Sequence, residues 1–126
     1  MHEAGIAESI LGIANDVARE NSLAHISIIN VQIGQFTGIE ADSLDFAFQV
    51  MTKETLAEGA ELVIEKTPLL LRCKKCEGEY SGDFEDLRCP LCGAEDYLIL
   101  QGREMVVKSI TGEKIEYTHK NRNDSR

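Results

Sequence analysis

The stretch from 73 to 92 reads Cys73-Lys74-Lys75-Cys76, then twelve residues, then Cys89-Pro90-Leu91-Cys92, which sets four thiols in two C-x2-C pairs. Two residues between sulfurs let one tight turn aim both at a single ion, and two such knuckles complete the tetrahedron of thiolates that Zn(II) prefers. Cys73, Cys76, Cys89 and Cys92 are therefore expected to hold structural zinc in a ribbon. The rivals are two disulfides, a redox C-x-x-C and an iron–sulfur cluster. A redox role uses one pair on a thioredoxin-like scaffold, which the chain does not suggest, whereas iron stays open because four cysteines also bind it. Gly78 and Gly93 come shortly after each second cysteine, where a knuckle needs a residue tolerant of positive φ. Arg72, Lys74, Lys75 and Arg88 stand beside the ligands and are expected to offset thiolate charge.

Working outward, Pro68 and Gly102 bound this module, and the sequence on either side has the periodicity of an ordinary core. From Ala4 to Asn21, Ile6, Ile10, Ile13 and Val17 recur at helical spacing and predict one buried stripe. His25 to Ile33, rich in isoleucine and valine, predicts a strand that Gly34 and Gly38 end. Asp42 is placed to cap a second helix whose Leu44, Ala47, Phe48 and Met51 share a face. Leu62 and Ile64 alternate with Glu61, Val63 and Glu65 in a half-buried strand. Met105 to Ile110 predicts a strand returning to the first sheet, extended by Ile115 and Tyr117 after a turn at Thr111 and Gly112. The expected organisation is a domain of residues 1–67 plus 103–118, a ribbon domain at 68–102 and a disordered tail at 119–126.

At 126 residues, the chain can build one modest core plus a metal-stapled appendage. No apolar run approaches the roughly 20 residues that cross a bilayer, and Glu3 and Glu8 interrupt any secretory signal, so a cytoplasmic protein without membrane contact is expected. Net charge is −9, with −8 in residues 1–66, −3 in 67–102 and +2 in 103–126. A phosphate backbone would be repelled almost everywhere, which argues against a nucleic-acid partner.

The chain begins Met1-His2-Glu3. The Met1 amine, the deprotonated His2 amide and the His2 imidazole can close adjacent chelate rings, putting three nitrogens in one plane around an ion. Nickel(II) and copper(II) suit that tetragonal nitrogen geometry. The fourth donor is left to the Glu3 amide, another side chain or water, and a replaceable donor suits an ion that is later handed on. The bland reading makes His2 merely an exposed residue near the start. Glu40 is read either as a carboxylate donor or as a solvated charge at a helix start, and His25 and His119 are not expected to be ligands.

Met1-His2-Glu3, Ile33-Gly34, Leu44-Asp45-Phe46-Ala47-Phe48, Ala57-Glu58-Gly59-Ala60 and the paired cysteines together resemble the HypA/HybF family of hydrogenase nickel-incorporation proteins. The resemblance implies an α+β fold, a nickel-binding domain of two helices on a three-stranded sheet with an inserted four-cysteine zinc ribbon. It also implies His2 as principal nickel ligand, with Glu3 a neighbouring one, and Glu40 as an acidic residue near the same ion. The implied role is a non-enzymatic nickel metallochaperone, monomer or homodimer, serving a nickel–iron hydrogenase. Its partners would be a maturation GTPase and the hydrogenase large subunit, with urease maturation proteins as a lesser possibility. The alternative is a zinc-ribbon adaptor carrying no exchangeable metal. A metal-dependent hydrolase ranks last, because no clustered His/carboxylate set exists beyond His2, Glu3 and Glu40.

Overall fold

Helix α1 spans Glu3–Glu20 and turns Ala7, Ile10, Ala14 and Ala18 inward, where all four are fully buried. The structure is a computed structural model and describes residues 3–83 and 85–116. The expected stripe lies roughly a quarter turn around the helix from this face at 3.6 residues per turn. Its member Ile13 is 41% exposed. The alanines set the rotation, because short side chains let the helix approach the sheet closely while larger ones would hold it off. Ile6 and Leu11 pack at the margins of the core.

Strand β1 runs Leu23–Gly34, longer at both ends than the isoleucine-rich run, and is the middle of a three-stranded sheet. Strand β2, Glu61–Thr67, lies parallel to it with Ile29 opposite Leu62 and Val31 opposite Ile64. A parallel pair needs a crossover. Helix α2, Ala41–Met51, is part of that crossover and buries Leu44 and Phe48, with Ala47 and Met51 at the edge as the spacing predicts. Its N-cap is Glu40 rather than Asp42: the Glu40 carbonyl accepts the Leu44 amide at 2.9 Å, and Asp42 lies inside the first turn.

A strand at Met105–Lys114, numbered β6 below, closes the other side of β1 in antiparallel register, with Ile110 opposite Ile29. It has no turn at Thr111 and Gly112. Gly112 lies in the strand opposite Ile26 beside a register irregularity, and a Cβ there would come within 2.2 Å of the His25 carbonyl oxygen. That glycine permits two backbones to approach; it does not reverse the chain. Tyr117 and the tail from His119 lie outside the described residues.

Between β2 and β6 the chain builds a second sheet. Strand β3 (Leu70–Cys73) is its centre, flanked antiparallel by β4 (Glu79–Ser81) and β5 (Tyr97–Gln101). Leu69, Leu71, Cys73, Tyr80 and Cys89 form its own small core, and the Tyr80 hydroxyl donates to the Leu87 carbonyl at 2.6 Å. The fold is α+β, two helices on one three-stranded sheet with a zinc ribbon inserted. Several bonds tie the ribbon's base to the end of β1. The Gly34 amide donates to the Glu104 carbonyl at 2.7 Å, the Phe36 amide to the Gly102 carbonyl at 2.8 Å and the Leu69 amide to Gln35 Oε1 at 3.1 Å.

Candidate metal sites

Each cysteine pair sits on a turn with the same bonding. In the first, the Cys73 amide donates to the Gly78 carbonyl and the Glu77 amide to the Cys73 carbonyl, both at 2.9 Å. In the second, the Cys89 amide donates to the Ala94 carbonyl at 2.9 Å and the Gly93 amide to the Cys89 carbonyl at 2.8 Å. Both turns enter the left-handed region at the residue after the second cysteine, Glu77 at φ 65° and Gly93 at φ 78°. Gly93 meets the expectation and Gly78 does not. The first knuckle places a glutamate where the second has glycine, while Gly78 leaves room for the Leu91 side chain of the facing knuckle.

The four sulfurs converge within 4.8 Å of one another. Cys73 Sγ lies 3.6 Å from Cys92 Sγ, and Cys76 Sγ lies 3.7 Å from Cys89 Sγ. Metal–sulfur bonds of about 2.3 Å make a tetrahedron with edges of about 3.8 Å. A disulfide would need about 2.05 Å. The donor set fits a four-coordinate thiophilic ion, and no position is left open for substrate.

Backbone amides, more than side-chain cations, supply the positive charge the sulfurs need. The Cys76 amide N–H, followed by that of Lys75, holds the Cys73 thiol down at about 6 against the opposing effect of burial. At Cys76 the Gly78 amide pulls downward, but burial and the neighbouring sulfurs outweigh it and push the thiol up to about 11. Four close thiolates cannot all ionise easily without a cation among them. Arg72 and Arg88, expected to provide countercharge, are engaged by carboxylates: Arg72 meets Glu79 at 2.9 Å and Arg88 meets Asp86 at 3.0 Å.

The second candidate site gathers at the start of α1. Met1 and His2 lie outside the described residues. Glu3 opens the helix, and its Oε2 accepts a hydrogen bond from the Glu40 amide at 3.2 Å. The bond ties the Glu3 carboxylate to the backbone of Glu40, 37 positions away, at the N-terminal end of α2. Lys66 secures the preceding residue, its Nζ donating to the Ile39 carbonyl at 2.7 Å. His25 lies apart from this cluster in the chain's topology, its Nε2 3.3 Å from the Glu58 carbonyl. The sequence does not single out Glu77, nor Thr67 and Glu104, whose hydroxyl and carboxylate bond at 2.8 Å where the chain enters and leaves the ribbon. Equal spacing from the second cysteine could have found Glu77, but nothing local marks the other two.

A four-thiolate ribbon set into an α+β fold defines a small metal-binding protein. A family model described as hydrogenase/urease nickel incorporation, metallochaperone, HypA, matches residues 1–112. The chain is 36% identical over 110 residues to the hydrogenase maturation factor HypA of Aquifex aeolicus, covering 87% of this chain and 96% of that one. It is 40% identical over 111 residues to that of Chlorobaculum tepidum, covering 88% and 98%. The solution structure of the nickel metallochaperone HypA from Helicobacter pylori superimposes with a TM-score of 0.67 at 25% identity, over 91% of this chain and 100% of that one. The chain belongs to the HypA family of hydrogenase and urease nickel-incorporation metallochaperones.

Proposed function

We propose that this protein binds Ni(II) at its amino terminus and delivers it during maturation of a nickel–iron hydrogenase, acting as a carrier in the cytoplasm and not as an enzyme. The observation that carries the reading is the hydrogen bond from the Glu40 amide to Glu3, which joins the first turn of α1 to the start of α2. The residues directly preceding Glu3 are Met1 and His2, whose amine, amide and imidazole form the chelating unit. Glu3 and Glu40 complete a mixed nitrogen and oxygen environment, and an exposed carboxylate is a donor that can be exchanged at handover. Cys73, Cys76, Cys89 and Cys92 hold zinc, which stabilises the ribbon and takes no part in transport. A maturation GTPase and the hydrogenase large subunit are the partners, with urease maturation proteins as the lesser alternative. Residues 1–67 with 103–118 form the nickel domain and 68–102 the zinc domain, so Cys89→Ser should lose zinc and unfold the ribbon while the helical signal persists.

An uncleaved N-terminal extension tests the site, because it removes the free amine and retains His2. Nickel titration of the extended protein should show weakened binding or a changed donor spectrum relative to the native terminus. Equal affinity and an identical spectrum would contradict the chelate.

A further inference from the structure

A single peptide group lies between two charged side chains at the start of α2. It joins Ile39 to Glu40: its carbonyl accepts from Lys66 Nζ at 2.7 Å, and its amide donates to Glu3 Oε2 at 3.2 Å. A cation on the oxygen of an amide makes the N–H a stronger donor, so the two bonds reinforce each other. Lys66 is out of pattern where it stands. By strand alternation it shares the helix-covered face of β2 with Leu62 and Ile64, both members of the core. It also brings positive charge to a helix N-terminus, the end whose dipole disfavours a cation. The Ile39 carbonyl offsets that cost, as do Glu40 and Asp42 in the chain and Glu3 from α1. The Glu40 side chain makes no capping bond. In a capping box the glutamate three residues into a helix reaches back to the N-cap amide. Here that position is Ser43, and Glu3 supplies the carboxylate from another helix.

We propose that Lys66 is a positioning residue for nickel binding: through the Ile39–Glu40 peptide it fixes the carboxylate of Glu3, the first residue after Met1 and His2. This rests on the reading of the amino terminus as the nickel-binding unit. Lys66 is not itself a donor, because an ammonium group has no lone pair to give a metal. Its contribution is preorganisation. A carboxylate already held in place loses less freedom when an ion binds, and that saving appears as affinity. Without the cation the Ile39–Glu40 peptide is a weaker donor, and the bond that ties the first turn of α1 to the start of α2 loosens.

The test compares nickel titrations of the untagged, full-length parent with Lys66→Met, which keeps the apolar stem and removes the donor, and Lys66→Arg, which keeps charge and donor. Lys66→Met should bind nickel about three- to tenfold more weakly, with helicity and zinc content unchanged, and Lys66→Arg should recover most of the affinity. Lys66→Gln, shorter and uncharged, replaces Lys66→Met if that protein does not fold. Amide hydrogen exchange followed by NMR reads the relay itself. Relative to the Phe48 amide inside α2, the Glu40 amide should exchange faster in Lys66→Met and in Glu3→Ala, and no faster in the double variant. Parent affinity in folded Lys66→Met, an equal loss in Lys66→Arg, or a Glu40 amide unmoved by Lys66→Met would overturn the proposal alone. Nickel binding that survives His2→Ala undiminished would overturn the amino-terminal reading and the proposal with it.

Discussion

Glu104 binds the Thr67 hydroxyl through Oε2 and the Gly102 amide through Oε1, each at 2.8 Å, so one carboxylate clasps the chain where it enters and leaves the ribbon. The Thr67 bond chiefly, and then the Gly102 amide, hold the Glu104 carboxyl below its usual value. A carboxylate with a depressed folded-state value stabilises the fold fully above its unfolded value, about 4.3, and loses that contribution as pH falls through the lower folded value. Thr67→Val, which removes the donor and keeps the shape, should cost about 1–2 kcal/mol at pH 7. Glu104→Gln should be less stable than the parent at neutral pH, and the gap should narrow below about pH 4. Urea titrations of the three proteins across that range check this, and a gap unchanged by acid would contradict it.

The rotation of α1 is equally measurable. Ile10 is fully buried and Ile13 is not, so Ile10→Ala should cost about 2–5 kcal/mol and Ile13→Ala under about 1 kcal/mol. Comparable losses in chemical denaturation would restore the stripe that large side chains alone suggest.

This helix shows where a single sequence stops being informative. The spacing of apolar residues revealed that α1 exists, but its orientation depends on how closely it nests against β1 and β6, and alanine carries weak sequence signal. The same limit explains Gly112, whose role depends on a strand far away in sequence. The zinc ribbon was legible because ligand spacing is chemistry confined to a few residues. The Glu3–Glu40 pairing is half legible: both residues carry carboxylates that mark them as candidate donors, but the bond joining them spans 37 positions and arises only when α1 and α2 pack.

The two knuckles provide an internal comparison. Glu77 occupies the left-handed position that glycine fills at 93, and a non-glycine residue there is strained. Glu77→Gly should stabilise the ribbon by about 0.5–1 kcal/mol, whereas Gly93→Ala should destabilise it by about 1 kcal/mol. Zinc retention against a graded chelator series reads both effects. Weaker retention in Glu77→Gly would show that its side chain contributes more than the backbone strain removes.

The most direct test of nickel handling is isothermal titration of untagged protein with Ni(II), comparing the parent with His2→Ala while monitoring zinc content and helicity. Loss of the imidazole should abolish stoichiometric nickel binding, and parent affinity should fall as pH drops through roughly 6.5, where an unperturbed imidazole protonates. Zinc content and helical signal should remain unchanged, because the substitution lies outside the ribbon and before the first residue of α1. Nickel binding by His2→Ala with the parent's stoichiometry and affinity would contradict the amino-terminal site.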